Sequence, residues 1–504
     1  MNEILIKIKC AAKECKRDLC TDKGMALSLL YVILPVFLFF AGWLKLPAAI
    51  LLCAVLLCFL KPLSRNLCVR HSGVGFSSNP EYWLTLAVVV FIWVLFSGIG
   101  GFSFQNTDYY VRNPVYRDLV NQSWPVYFDL SVQREAVREI VGSDTVAFTY
   151  YFCFWLPPAL LSKLLPGGEL VSNLLLLLWA YLGVMLALYQ VHRYLKRTSW
   201  AIPGIFIFFG GLDIIGYRLL IGEVPLGEHL EWWCTYFQYS AHTTVLYWVF
   251  NQAIPVWLLT ALFLNMKGNR STAGLGALMF AYSPFATLGM VPLAVYSVFR
   301  KKEKWRMAVT WENILIPLVM LLVFGSFYLS NPDNLSVKGW IFEFYPSESL
   351  AGRYLLFLFL EAGIYALILR KCIFKYDYLW LVLAELALIP LYRMTGANDF
   401  AMRSSMPGLF ILSVCLIRYV LNNTVKWEKW AIVLILAVAA VTPLSEIYRS
   451  ASATVLGEAQ PNELVYSFQD FATDDAGVIE ICRQQFFTYH PEETFFFRYL
   501  GRLE

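Results

Sequence analysis

Charge is what this chain has least of. Asp, Glu, Lys and Arg make up 15% of its 504 residues, against roughly a quarter in soluble domains. With 59% hydrophobic residues, that shortage excludes an ordinary soluble globular protein. The eleven cysteines form no CxxC pair, so the strongest sequence signal for a zinc or dithiol site is missing. Cys10, Cys15 and Cys20 stand in a charged segment and read as free thiols. Cys153, Cys234 and Cys482 fall on one predicted face, where a disulfide is allowed but not required. There is no internal repeat and no low-complexity linker, and no nucleic-acid partner is expected.

What the chain does have is a series of apolar runs of about 20 residues, the length that spans a bilayer. The first follows a charged segment and reads as a span rather than a cleavable signal peptide. Lys and Arg between the runs set their direction. Residues 1–24 carry Lys7, Lys9, Lys13, Lys16, Arg17 and Lys23 and read as cytoplasmic. Spans are predicted at Met25–Leu44, Leu46–Leu60, Tyr82–Ile99, Glu169–Gln190, Ala201–Ile215 and Thr244–Leu264. Further spans follow at Ile314–Leu329, Leu355–Leu369, Tyr378–Leu391, Pro407–Val420 and Ala431–Leu444. Between Arg270 and Arg300, both inner markers, Ala273–Val298 reads as two short helices meeting at Ser283-Pro284. Other inner markers are Lys61, Arg65 and Arg70; Arg193, Lys196 and Arg197; Lys301, Lys302, Lys304 and Arg306; Arg370, Lys371 and Lys375; and Lys426 and Lys429.

The expected fold is an all-α polytopic membrane protein of about thirteen transmembrane helices. A transmembrane domain, 25–447, carries external loops 100–168, 217–243, 330–350 and 393–404. Residues 448–504 are expected to form a short external region. Within the first loop, Val132–Val141 reads as an amphipathic surface helix. Tyr150–Leu165, broken by Pro157-Pro158, reads as a helix lying in the outer interface.

This topology gathers polar groups at outer span ends. Ionisable groups at the mouth of a span mark sites more often than scaffolds. The principal stretch is Gly98–Asp129, where Gln105, Asp108 and Tyr109 follow a glycine-rich turn; Asp108 is the candidate base for a hydroxyl acceptor. Asp118 and Asp129 read as cap or surface residues. Asp213, after Gly210-Gly211, competes with a turn or cap role. The loop 217–243 offers Glu223, Glu228, His229, Glu231 and His242. Arg393, Asn398, Asp399 and Arg403 surround a turn at the outer boundary. Arg403 or Arg393 would bind a lipid-linked phosphate bidentately, and Asp399 four residues before Arg403 also fits a local helical ion pair. A divalent cation (Mg, Mn or Ca) is allowed by the surplus of acids, but no metal-spacing motif is present.

In order and topology this pattern resembles the GT-C superfamily of polytopic glycosyltransferases. The similarity rests on the acid soon after a span, Phe104-Gln105-Asn106-Thr107-Asp108. An aromatic, proline-containing segment follows, Tyr150-Tyr151 through Pro157-Pro158, and then a span from Glu169 to the basic turn His192–Arg197. The chain is also similar to bacterial membrane proteins with stretches like Gly101–Asn106 and Asn398–Arg403. The resemblance implies a polyprenyl-phosphate sugar donor, inversion at the anomeric carbon, and a glycolipid, polysaccharide or protein acceptor. It also implies a bacterial cytoplasmic membrane with the site and residues 448–504 on the outer side. By position Asp108 would be the base, and Asp213, His242, Asp399, Asn398, Gln105, Tyr109 and Glu231 would line the cavity. The family often shows two adjacent acids in this loop, whereas Asp108 is flanked by Thr107 and Tyr109. A surface-polysaccharide polymerase or ligase, and a lipid-linked glycan flippase, are the alternatives.

Overall fold

The computed structural model describes residues 22–67, 74–75, 78–224, 229–300, 309–331, 337–345, 348–394, 398–457, 465–470 and 475–503. Lys7, Lys9, Lys13, Lys16, Arg17, Cys10, Cys15, Cys20, Arg70, Glu228, Lys301, Lys302, Lys304 and Arg306 lie outside the described residues. The chain is mostly helical. Among the described residues, eight helices are long and apolar enough to cross a membrane: Lys23–Trp43, Leu46–Leu67, Gly168–Leu195, Ala201–Leu220, His242–Leu264, Trp311–Tyr328, Leu350–Ile368 and Trp427–Leu456. Shorter apolar helices run Pro80–Leu95, Thr272–Ala281, Pro284–Phe299, Leu379–Leu391 and Met406–Asn422. The protein is membrane-embedded and helical.

His242–Leu264 is the axis of the bundle. It is mostly apolar and almost wholly buried, the pattern of a helix with no solvent- or lipid-facing stripe. Gly168–Leu195, Met406–Asn422 and Val441–Leu456 pack around it. Lipid tails solvate apolar side chains as well as a neighbouring helix does, so interhelical hydrogen bonds help to fix the arrangement. Tyr31 Oη donates to the Trp179 carbonyl (3.0 Å), and Tyr282 Oη to the Val32 carbonyl (2.7 Å). Gln190 Nε2 donates to Ser28 Oγ (2.8 Å), and Ser283 Oγ to Gln252 Oε1 (2.7 Å). Each such bond contributes ~0.6 kcal/mol on average in a bilayer.

Basic turns between helices gather at one end of the bundle. Asn66 bonds the backbone of Gly268, Arg193 the Leu67 carbonyl and Arg197 the Leu421 carbonyl. Arg300 pairs with Asp377 and Lys371 with Glu428. At the other end Arg117 reaches Glu169 and the Tyr466 carbonyl, and Lys45 the Arg498 carbonyl. The break at Ser283-Pro284 is present: Ser283 Oγ caps Pro284–Phe299 by accepting from Ala286 N at 3.3 Å.

One expectation is corrected. Pro157-Pro158 do not interrupt a helix. They fill the first turn of Leu156–Leu164, where a proline's missing amide has no partner to lose. Phe154 and Trp155 just before it are buried against Phe250. Only the far half, at Leu161 and Leu164, is exposed as an interfacial helix would be. The described residues between 448 and 503 are tied into the rest of the chain. Trp427–Leu456 continues well past Leu444. Beyond it, β5 (Phe487–Tyr489) joins the first loop in one antiparallel sheet of order β1-β2-β5, with β1 Tyr127–Asp129 and β2 Thr145–Phe148. Helix Glu135–Val141, the expected amphipathic helix, packs against Ala476–Phe486. Phe128, Phe148, Phe468, Phe486 and Phe487 form the core of this cap. A second pairing, β3 Lys338–Trp340 with β4 Tyr392–Met394, ties loops 330–350 and 393–404 together.

Candidate functional site

The Asp108 stretch is shaped by its glycines. Gly98, Gly100 and Gly101 take φ of 88°, 80° and 74°, a region closed to most L side chains. A Cβ on Gly98 would also lie 2.7 Å from the Phe104 carbonyl. The folded-back turn is held by Ser103 Oγ donating to the Leu95 carbonyl (2.6 Å) and Gln105 Nε2 to the Gly98 carbonyl (2.8 Å). Asn106 Oδ1 accepts from Asp108 N at 3.0 Å, and helix Tyr109–Asn121 begins there.

Asp108 is 37% exposed, and Arg112, one turn later, returns to it with Nη2 2.7 Å from Oδ2. Arg112 itself is only 6% exposed, and its Nε and Nη1 have no hydrogen-bond partner. Arg403, 8% exposed, pairs with Asp399 and leaves Nε without a partner. Tyr150 packs against Tyr151 with ring centroids 3.9 Å apart and the planes tilted by 32°, and it lies within electrostatic reach of both guanidinium groups. Two buried cations with unmade hydrogen bonds are costly on their own. An anion brought between them supplies the missing acceptors.

A second polar cluster lies under the loop 217–243. Helix Ala201–Phe208 stops at Gly210-Gly211 and the chain resumes at Asp213–Leu220. Asp213 therefore sits inside the bundle, 1% exposed, rather than at an outer span end. It accepts from Trp233 Nε1 (3.0 Å) and Thr442 Oγ1 (2.8 Å). The Glu361 carboxyl lies within electrostatic reach of Asp213, and a methyl added at Gly211 would overlap it. Glu231 Oε1 accepts from Ala241 N (2.8 Å), and its Oε2 from Gln238 Nε2 (3.3 Å). His229 Nδ1 lies 2.8 Å from Glu446 Oε1 and its Nε2 3.7 Å from Glu231 Oε2. Glu446 also takes Trp248 Nε1 (3.1 Å) and Arg449 Nη2 (2.5 Å). Burial pushes the Glu231 carboxyl up to about 7. Burial pulls His229 down, but the hydrogen bond to Glu446 and the charges of Glu231 and Glu446 outweigh it, so its imidazole is raised. The two clusters are neighbours. Tyr247 lies within electrostatic reach of both Tyr109 and Glu446, and Thr454 Oγ1, on the Glu446 helix, accepts from Phe104 N at 2.9 Å.

The expected residues separate into three groups. Asp108 pairs with Arg112 and Asp399 with Arg403, and Tyr150 lies within electrostatic reach of both arginines. Asp213 and Glu231 join the acid cluster. The others are consumed by structure. Gln105 is bonded to Gly98 and Asn113. Tyr109 donates to the Ser97 carbonyl (2.9 Å) and stacks on Phe250. Arg393 bonds Tyr345 Oη and lies 5.2 Å over the Phe344 ring. His242 bonds the Phe206 carbonyl (3.0 Å) and is enclosed by Phe206, Phe209, Trp257 and Phe410, so it lines no polar cavity. Asn398 stands just before Asp399–Ser404 with no capping bond from its side chain. Asp129 caps its own turn at Ser131, as a surface acid would. Asp118 is corrected from surface to buried: it accepts from Ser467 Oγ (2.5 Å) and Phe468 N (2.8 Å), and burial lifts its carboxyl to about 6.

Sequence reasoning missed Arg112, Glu446 and the Tyr150-Tyr151 bridge. Arg112 was findable, because Asp108 and Arg112 are four apart, the spacing of one helical turn. Among the described residues no group of three His, Cys, Asp or Glu side chains is arranged to hold a metal ion. Comparison with family models, curated proteins and solved structures finds no match to this chain.

Proposed function

We propose that this protein is an inverting glycosyltransferase. It moves a sugar from a polyprenyl-phosphate donor to a glycolipid, polysaccharide or protein acceptor at the outer face of a bacterial cytoplasmic membrane. The eight long helices and the five shorter apolar ones together act as thirteen membrane segments, with the basic ends inside. The observation that supports this most is the pair of buried, under-satisfied guanidiniums of Arg112 and Arg403 beside a half-exposed carboxylate. The resemblance to the GT-C superfamily supports it independently.

In this reading the donor phosphate sits between Arg112 and Arg403. Asp108 takes the proton of the acceptor hydroxyl as that oxygen attacks the anomeric carbon. The bond from the anomeric carbon to the phosphate oxygen breaks with inversion, and polyprenyl phosphate leaves with the electron pair. Its added negative charge develops against the two arginines, where fixed cations stabilise it most. The Tyr150-Tyr151 pair borders the site and offers ring faces to a sugar.

Transfer is measured with purified protein, a panel of polyprenyl-phosphate sugars and extracted envelope lipids. Wild type transfers, and Asp108→Asn folds but loses transfer. Transfer that survives Asp108→Asn removes Asp108 as the base. A second reading, a proton-coupled lipid-linked glycan transporter, draws on the buried acids Asp213, Glu231 and Glu361. It takes over if no donor is consumed while labelled glycan lipid crosses a proteoliposome bilayer.

A further inference from the structure

The end of the bundle opposite Asp108 holds a second place built for an anion. Helix Gly168–Leu195 has 28 residues, about 42 Å at 1.5 Å per residue. Its first turn touches the Asp108 loop through Tyr116 Oη on the Ser172 carbonyl (2.7 Å) and Arg117 on Glu169. Its last turn opens into a cavity of about 510 Å³ lined by Arg193, Lys196, Arg197, Arg418 and Asp377, with Leu195, Leu264 and Leu421 as its apolar wall. The lining carries four cations and one carboxylate, and a second carboxylate, Asp22, pairs with Arg193 from outside it. Asp377 is already bonded to Arg300 at 2.7 Å, so it neutralises little of the lining.

Cations at a helix C-terminus commonly do no more than balance the helix dipole. Arg193 goes further. It is 2% exposed; its Nε meets Asp22 (3.0 Å) and its Nη2 the Leu67 carbonyl (3.1 Å), but its Nη1 has no partner. A buried guanidinium N–H without an acceptor costs free energy that an anionic oxygen in the cavity would recover. Arg418 is held in place by the Tyr376 ring, 4.7 Å below its guanidinium. Lys196 takes a left-handed backbone, φ 54°, which closes the helix and brings its backbone N–H onto the Arg193 carbonyl.

We infer that this cavity binds a phosphate-bearing anion at the face opposite the Asp108 site. The same chemistry fits a lipid phosphate headgroup with its chain along Leu264 and Leu421, and a free soluble phosphate.

The test uses the full-length protein in a non-ionic detergent, with native mass spectrometry and titration calorimetry. Probes are dioctanoyl phosphatidic acid, inorganic pyrophosphate and, as a neutral-headgroup control, dioctanoyl phosphatidylcholine. Arg418→Gln and Lys196→Gln, both at the rim, are each expected to weaken binding about tenfold, the scale of one charge-assisted contact. Arg138→Gln, in a surface ion pair with Asp144 away from both sites, is expected to leave this binding unchanged, whereas loss of binding in Arg112→Met with the Arg418→Gln/Lys196→Gln protein unaffected would assign the phosphate to the proposed donor site and overturn the inference. Retention of phosphatidic acid alone assigns a lipid headgroup. Binding of pyrophosphate as well assigns a soluble phosphate. Absence of binding by both phosphates, or full binding by the Arg418→Gln/Lys196→Gln protein, overturns the inference.

Discussion

Replacing Arg112 with Met separates a functional arginine from a scaffolding one, because the two roles predict opposite signs for stability and activity. Arg112 is 6% exposed and two of its guanidinium nitrogens have no partner. Replacing a whole buried ion pair with apolar side chains is neutral or stabilising by about 1–4 kcal/mol, whereas removing one partner costs about 3–5 kcal/mol when the charge left behind is fully buried. Asp108 loses its partner but is 37% exposed, so water can solvate it. The apparent melting temperature is therefore expected to stay level or rise. Activity should move the other way. If the two unmade bonds are completed by donor phosphate, their loss removes about 1.5–3 kcal/mol each. That is roughly a 10²- to 10⁴-fold fall in kcat/KM. Had Arg112 served only as the helical partner of Asp108, the loss would be about 0.3–0.5 kcal/mol, close to a twofold change. The assay pairs thermal unfolding in detergent with sugar transfer from the polyprenyl-phosphate panel. Transfer within threefold of wild type would refute the phosphate role, and a marked fall in melting temperature would refute the account of the unmade bonds.

Three further outcomes are expected. Glu231 has a folded pKa of about 7 against an ordinary 4.5, raised by burial. Its contribution to stability is complete below about pH 4.5 and disappears as pH rises through about 7. Unfolding scans should show wild type weakening from pH 5 to 8. Glu231→Gln should flatten that slope, with His229 supplying the remainder; an unaltered slope would assign the titration elsewhere. Gly211→Ala should cost about 1–3 kcal/mol from overlap with the Glu361 carboxyl. Combined with Glu361→Ala the cost should shrink, and strict additivity in that cycle would show that the two residues do not meet. Asp118→Ala removes the acceptor of Ser467 Oγ and Phe468 N. Amide exchange at Phe468 should accelerate about tenfold or more, from the 1–3 kcal/mol attached to a stranded buried donor; unchanged exchange would mean that Asp118 does not anchor this segment.

The gathering of basic turns at one end was legible because Lys and Arg cluster strongly between apolar runs, and Ser283-Pro284 carries its own cap. The Asp108 turn was legible because three glycines in four residues have few other uses. Other features were hidden for identifiable reasons. Glu446 lies in Thr442–Ser450, where hydropathy drops, so the span seemed to end at Leu444 although the helix continues. Asp213 follows two glycines that break a helix in the middle of the bundle, which in sequence looks the same as a helix reaching the surface. The sheet strands are three or four residues long, too short for a period-two pattern to emerge. His242 shows the reverse error: a histidine at a helix start is read as polar lining, yet four aromatic rings enclose it.

The pairing of β2 with β5 also sets a schedule for the ribosome. Phe148 and Phe487 are partners, and 339 residues separate them (487 minus 148). At about 5–20 residues per second, roughly 20 to 70 seconds of synthesis pass between the appearance of the two strands. Through that interval β1 and helix Glu135–Val141 are already made, and β2 presents an unpaired edge beside β1. An unpaired edge of this kind is a template for the wrong strand. The loop that carries Asp108 is thus translated early and among the last segments completed, so its assembly depends on something keeping that edge unoccupied until the closing strand arrives.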